Sequence, residues 1–149
     1  MKKACENAMK AEFPSLSQNE ALARSLIAAF IMQLNPTVAE LADIKCAVSE
    51  AVTNAIVHAY RDTVGLIYIT VKIMNENEVR IEIRDRGCGI PDVKQAREPL
   101  YTTDAESERS GLGFTVMESF CDKLRVRSKV GHGTTVILTK KIGARELDL

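Results

Sequence analysis

Val79-Arg80-Ile81-Glu82-Ile83-Arg84-Asp85-Arg86-Gly87-Cys88-Gly89 is the stretch on which the fold turns. Apolar Val79, Ile81 and Ile83 alternate with charged Arg80, Glu82 and Arg84, the period of a strand with one face buried and one in water. Asp85 continues the buried phase, so the alternation delivers a carboxyl group to the apolar side of a sheet. A buried carboxylate is costly unless it is hydrogen-bonded. Two readings of Asp85 stand: it receives a ligand amino group, such as the exocyclic amine of adenine, or the strand ends early and Asp85 caps its own turn. Gly87 and Gly89 follow, and glycine permits positive φ and close backbone approach to a ligand.

Working outward, Leu66 to Met74 is a β-branched strand joined to Val79 by the polar turn Asn75-Glu76-Asn77, which makes a hairpin. Upstream, Met9 to Phe13 reads as a short first strand. Ser17-Gln18-Asn19-Glu20 has the form of a capping box and opens a helix through Leu22, Ile27 and Leu34 that Pro36 ends. Thr37-Val38-Ala39-Glu40 is a second such box. It opens a longer helix to about Tyr60, with Leu41, Ile44, Val48, Val52 and Ala55 as its apolar stripe. Downstream, Gly87 to Gly111 is a long polar segment with a short helix near Val93 to Arg97, and a loop of that length in a small domain is usually functional. A third main helix begins near Phe114, and two strands, Lys123 to Ser128 and Thr134 to Lys140, flank a tight turn. This order predicts an α/β (α+β) two-layer sandwich: a mixed, largely antiparallel sheet with helices on one face, residues 1–149 forming a single domain.

Composition narrows the function classes. Hydrophobic residues at 46% and charged residues at 27% describe a globular chain. The 20 basic and 20 acidic residues cancel, which argues against nucleic-acid binding by the surface as a whole, though not against local patches. The apolar run within Leu22 to Leu34 is too short and too interrupted for a membrane span, and no signal peptide is visible. Cys5, Cys46, Cys88 and Cys121 lack metal-type spacing and read as free thiols in a reducing cytoplasm.

Three Gly-x-Gly pairs hold six of the eight glycines: Gly87/Gly89, Gly111/Gly113 and Gly131/Gly133. The last lies between two strands and suits a plain turn. Thr134 is in phase with Val136 and Leu138, so its hydroxyl either joins the pocket of Asp85 or is that of an ordinary strand threonine. Glu50 and Asn54 stand one helical turn apart, off the apolar stripe. Such a pair suits a metal-nucleotide site, the amide oxygen being a hard ligand for Mg²⁺ and the carboxylate a proton acceptor. A solvated helix face is the plainer alternative. His58, a further turn along, reads as structural. Ser110-Gly111-Leu112-Gly113 precedes the helix at Phe114, where backbone N–H groups make a phosphate cradle. Arg109 beside it either binds a terminal phosphate or pairs with Glu106 or Glu108. No Gly-Lys-Ser/Thr follows the glycines and no strand immediately precedes them, so neither a P-loop nor a dinucleotide fingerprint is present.

In order, Glu50-x-x-x-Asn54, Asp85-x-Gly87-x-Gly89, Gly111-x-Gly113 and Gly131-x-Gly133-Thr134 resemble the N, G1, G2 and G3 boxes of the ATPase superfamily shared by gyrase, Hsp90, MutL and histidine kinases. The fuller strings SEAVTNAIVHAY, DRGCGIPD, REPLYTT and ERSGLGFTVMESFCDKLRVRSKVGHGTTV resemble the anti-sigma F factors of endospore-forming bacteria, over about Phe13 to Lys141. The resemblance implies ATP or ADP with Mg²⁺ between sheet and helices, under a lid from about Pro99 to Ser110. It implies Glu50 as the base that activates a serine hydroxyl, Asn54 as the Mg²⁺ ligand and Asp85 as the receptor of the adenine amine. Gly87, Gly89, Thr102, Thr103, Ser110, Gly111, Leu112, Gly113 and Thr134 complete the nucleotide contacts, and Arg109 steadies the γ-phosphate. It further implies a cytoplasmic homodimer that binds a sigma factor of the sigma F type and phosphorylates an anti-anti-sigma protein on serine, with Arg24 touching the partner. Arg24 as a solvated helix residue is the alternative. Asp104 replaces a lysine common in the family, so no lid-lysine contact carries over; Ala59 replaces a common glycine. Two other functions remain open: a stress-response anti-sigma kinase of the same family, and a non-catalytic, nucleotide-gated binding module.

Overall fold

The computed structural model describes residues 3–98 and 108–143, excepting the side chains of 108–112. Strand β1 (Cys5–Pro14) leads into helix α1 (Asn19–Ile31), and helix α2 (Val38–Asn54) continues as a wider π-helical turn over Ala55–Ala59. The hairpin β2 (Leu66–Met74) and β3 (Glu78–Asp85) follows, then the short α3 (Val93–Ala96), α4 (Glu108–Phe120), and the hairpin β4 (Lys123–Lys129) and β5 (Gly133–Lys141). The strands lie in the order β1-β2-β3-β5-β4. The sheet expected to be largely antiparallel is antiparallel in all four pairings.

Alternation sorts the two faces as the sequence predicts. Ile67, Ile69 and Val71 of β2, Val79, Ile81 and Ile83 of β3, and Val136 and Leu138 of β5 are buried. They meet Ala23, Ile27 and Ile31 of α1, Val48, Ala51 and Val52 of α2, and Phe114 and Met117 of α4 in one core. The helices therefore occupy one face, and water meets the other. Burying a side chain such as Ile69 contributes roughly 1.5–3 kcal/mol, and the sheet supplies many of them.

Three local expectations change. The first strand is longer than Met9 to Phe13, because β1 pairs with the whole of β2 from Pro14↔Leu66 to Cys5↔Met74. The second capping box is present: Thr37 Oγ1 accepts the Glu40 N–H at 3.0 Å and the Glu40 carboxylate accepts the Thr37 N–H at 2.8 Å. The first is not. Gln18 stands at the N-cap of α1 without a side-chain cap. Glu20 instead accepts from the Ser49 hydroxyl and forms an ion pair with Arg24 at 2.8 Å. A tertiary partner on α2, Ser49, and the i+4 neighbour Arg24 on α1 win over a local cap that contributes about 1 kcal/mol. Finally, α4 (Glu108–Phe120) already includes Ser110 to Gly113, which therefore lie within the helix rather than ahead of it. Apolar periodicity is silent there because Leu112 is the sole large apolar residue before Phe114.

Candidate functional site

Asp85 lies where the sequence places it. It is the last residue of β3, opposite Ile67, and only 7% exposed. Its Oδ1 accepts the Gly87 N–H at 3.0 Å and the Thr134 N–H at 3.1 Å. Both bonds use one oxygen, so Oδ2 takes no hydrogen bond from a described residue. Burial pushes its carboxyl above the ordinary Asp value, and the two N–H bonds oppose that shift. The strand does not end early, since β3 includes Asp85, yet one of its oxygens does brace the turn while the other is left as an acceptor.

Asp85 lines a cavity of about 210 Å³ between α2 and the sheet. Ile83, Val136, Ala51 and Ala55 supply apolar walls; Asn54, His58 and Thr134 add polar atoms; Ile90, Gln95 and Ala96 close one side. Apolar walls with a few convergent polar groups are the usual form of a small-molecule site. Ile90 N–H donates to Ser128 Oγ at 2.7 Å, and Ser128 Oγ lies 3.1 Å from the Gly133 carbonyl and 2.8 Å from Thr134 Oγ1. Ser128 has one hydroxyl proton. When it goes to Gly133, Thr134 donates to Ser128 and keeps its own oxygen as an acceptor.

Close backbone approaches build this corner. A Cβ at Gly133, whose φ is +122°, would lie 2.1 Å from the Asp85 carbonyl oxygen. One at Gly87 would lie 2.3 Å from the Ala59 carbonyl oxygen, the same carbonyl that accepts the Cys88 N–H at 3.1 Å. Gly131, by contrast, meets nothing within 4 Å and serves only its turn. Tyr60 ties the same corner to the end of α2. Its hydroxyl donates to the Leu66 carbonyl at 2.7 Å and accepts the Arg86 N–H at 2.6 Å.

Asn54 ends α2 at the cavity wall, and its amide takes no hydrogen bond from a described residue. A Cβ at Gly113 would lie 3.2 Å from both of its terminal atoms, so α4 approaches the amide through a glycine. A hard oxygen of this kind fits Mg²⁺, which keeps several waters and leans on substrate phosphates rather than on a protein cage. No cluster of three metal-ligating side chains exists among the described residues. Glu50 sits one turn before Asn54, half-buried and outside the cavity lining. Gly89 lines the cavity, whereas Gly87 supports it from behind. His58 lines it as well, although the sequence reading made it structural; its i+4 spacing from Asn54 was the available signal. Arg61, Gln95 and Phe114 are additional lining residues that no motif marked. Arg24 stands apart on α1, its Nε beside Glu20 but at an angle too poor for a hydrogen bond. Thr102 and Thr103, with the expected lid up to residue 107, lie outside the described residues, as do the side chains of Arg109, Ser110 and Leu112. The backbone of 109–113 is helical.

The family model of the histidine kinase-like ATPase domain matches residues 13–140. The chain is 54% identical over 137 residues to the anti-sigma F factor of Caldanaerobacter subterraneus subsp. tengcongensis, covering 92% of this chain and 95% of the relative. It is 52% identical over 139 residues to that of Pasteuria penetrans, covering 93% of each. Among solved structures, the RsbU and RsbW domains of a Mycobacterium tuberculosis protein superpose with a TM-score of 0.67 at 20% identity, over 91% of this chain and 32% of that one. The histidine kinase domain of a blue-light activated kinase from Erythrobacter litoralis superposes with a TM-score of 0.58 at 20% identity, over 83% and 61%. On the match of the family model over residues 13–140 and the identity of more than half the aligned residues to these relatives, the chain belongs to the histidine kinase-like ATPase family and, within it, to the anti-sigma F factors.

Proposed function

We propose that this chain holds a sporulation sigma factor of the sigma F type inactive and phosphorylates its anti-anti-sigma antagonist on serine, as a cytoplasmic homodimer. The observation that carries the reading is the half-satisfied carboxyl of Asp85 on the wall of an apolar cavity, with the Asn54 amide on the facing helix. Bound ATP with Mg²⁺ supplies the phosphoryl group. Asp85 Oδ2 accepts the adenine amine, and the apolar walls from Ile83, Val136 and Ala55 exclude water from the base. The Asn54 amide oxygen takes the metal. Glu50, on the same helix, accepts the proton of the serine hydroxyl, and Arg109 offers its guanidinium to the charge on the transferred group. Ser110, Gly111, Leu112 and Gly113 carry α4 to the phosphate end of the site, where the N–H groups of its first turn lack intrahelical partners and are the donors, and Gly111 and Gly113 leave room for close approach. Arg24 on α1 touches the protein partner. Relatives that share more than half of their residues with this chain are anti-sigma F factors, which supports the choice of target.

A radiolabelled ATP assay with the matching anti-anti-sigma protein tests the chemistry. Glu50→Ala is expected to lose roughly 10²-fold or more in phosphorylation rate, the share usual for a positioned base, while calorimetry shows nucleotide binding retained. Equal rates for Glu50→Ala and wild type would remove Glu50 as the base. Absence of any saturable ATP binding by folded protein would remove the whole reading.

A further inference from the structure

The face of the sheet turned away from the helices meets the nucleotide site only at the ends of β3 and β5, and its charge differs from that of the chain. Strand register arranges it in rows. Tyr68, Arg84, Thr135 and Arg127 stand side by side across β2, β3, β5 and β4, and Thr70, Glu82, Ile137 and Arg125 form the next row. Arg86 projects just beyond β3, and Arg84, Arg86, Arg125 and Arg127 are all exposed. None of the four is in an ion pair with a described carboxylate. Lysines mark the margins: Lys10 on β1, Lys123 and Lys129 at the two ends of β4, and Lys72 toward the far end of β2. Arg80 shares the row of Lys72 and Lys123 and is paired with Glu78, one row further out, at 3.0 Å; against the other four arginines and the four lysines these rows hold two carboxylates, Glu12 and Glu82. The whole chain carries 20 basic and 20 acidic residues, so the excess is a property of this face.

We propose that this open sheet face is a docking surface for an acidic protein segment, a partner presenting several Asp or Glu side chains. Its anatomy is that of a protein interface. Tyr and Arg are enriched at such interfaces while Lys is depleted, and here Tyr68, Ile137 and the arginines are central with lysines around them. The arginine forks are preorganised. Arg84 and Arg86 lie over the Tyr68 ring, 4.8 and 5.0 Å from its centroid, and a fork held this way loses less freedom on meeting a carboxylate. Arg84, Arg86, Arg127, Lys129 and His132 surround a shallow depression at one end, which Asp85 and Thr134 also line from the ends of β3 and β5, and the basic groups at its rim outnumber that one acid where carboxylates would gather. The face measures about 19 Å across five strands and about 20 Å along them. That is smaller than a standard stable interface, which fits a weak, salt-sensitive contact.

Other occupants fit less well. A single-stranded nucleic acid needs a run of aromatic faces for its bases, and here Tyr68 is already covered by two guanidiniums, with His132 at the rim the other ring of this face among the described residues. A lipid surface needs an apolar anchor, and Tyr68 and Ile137 at the centre are both half-buried. A second copy apposed through the same face would set like charges against each other.

Fluorescence anisotropy with a labelled poly-glutamate peptide tests the proposal. Wild type is expected to bind it at low ionic strength and to release it as salt rises. The double variant R125E/R127E should weaken binding roughly tenfold, from two reversed surface charges, with ATP affinity and sedimentation unchanged. K10E on β1, far from both, should weaken it in the same direction. Binding indifferent to both variants would overturn the proposal. So would tighter, face-dependent binding of a single-stranded oligonucleotide or of phosphatidylserine vesicles than of the peptide. A change of oligomeric state in R125E/R127E would overturn it too, by making this face a contact between copies.

Discussion

Asp85 does two things with two oxygens, and each has a consequence. Asp85→Asn keeps an acceptor for the Gly87 and Thr134 N–H groups but removes the charge that a ligand amine would meet. Adenine-nucleotide affinity is expected to fall by about 1.5–3 kcal/mol, the contribution of a hydrogen bond to a charged group, measured by calorimetry with ATP. Unchanged affinity would contradict the assignment. The same carboxyl makes the ligand-free protein pH-dependent. Its folded pKa is raised by burial, so the native state holds this proton more tightly than the unfolded chain does. No penalty is present below the ordinary Asp range. Stability is then lost as pH rises through the raised folded value, where the buried group must ionise. Thermal unfolding of wild type minus that of Asp85→Asn should show this decrement just above the ordinary Asp range, and a flat difference curve would refute it. The phase of Val79, Ile81 and Ile83 was enough to foresee that Asp85 is buried. It was not enough to choose between ligand and turn, because the choice depends on where each oxygen points.

At the scale of elements, the β4–β5 turn shows how two glycines with the same motif differ. Gly133→Ala puts a Cβ against the Asp85 backbone at a φ of +122°, so a strain of about 1–3 kcal/mol is joined by a clash with backbone that cannot yield. Gly131→Ala has a φ of +81° and open space, and should cost only the left-handed penalty of about 1–2 kcal/mol. Urea unfolding of the two variants is expected to rank Gly133→Ala well below Gly131→Ala, and the reverse order would show that this approach does not hold the turn. From sequence alone the pair read as an ordinary turn, and for Gly131 that is sufficient. For Gly133 the decisive neighbour is on another strand. The two capping boxes diverge over which oxygens are left for the cap: Glu40 keeps Oε1 on the Thr37 N–H while Oε2 accepts the distant Gly143 N–H at 2.8 Å, whereas Glu20 turns to Ser49 and Arg24.

Across the whole molecule, Tyr60 joins the end of the helical layer to the start of β2 and to the residue that follows Asp85 at the end of β3. Tyr60→Phe leaves the Arg86 N–H without its acceptor and frees the Leu66 carbonyl, at a cost of about 1–3 kcal/mol. Chemical denaturation is expected to register that loss, with nucleotide affinity lowered alongside because the Asp85–Gly87 turn is loosened. Wild-type stability in this variant would show the hydroxyl to be dispensable. The periodicities of two and 3.6 were read directly from residue order: which segments are strands or helices, which face each buries, and that an acid ends the central strand. They arise from neighbours a few positions apart, and local pattern records such neighbours faithfully. The bond from Thr134 to Asp85 spans 49 positions, the packing of Gly133 on the same turn is as remote, and the cationic rows of the open face draw on five separate strands. Those relations exist because the strands assemble as β1-β2-β3-β5-β4, an order set by how the chain crosses its own core rather than by any stretch within it.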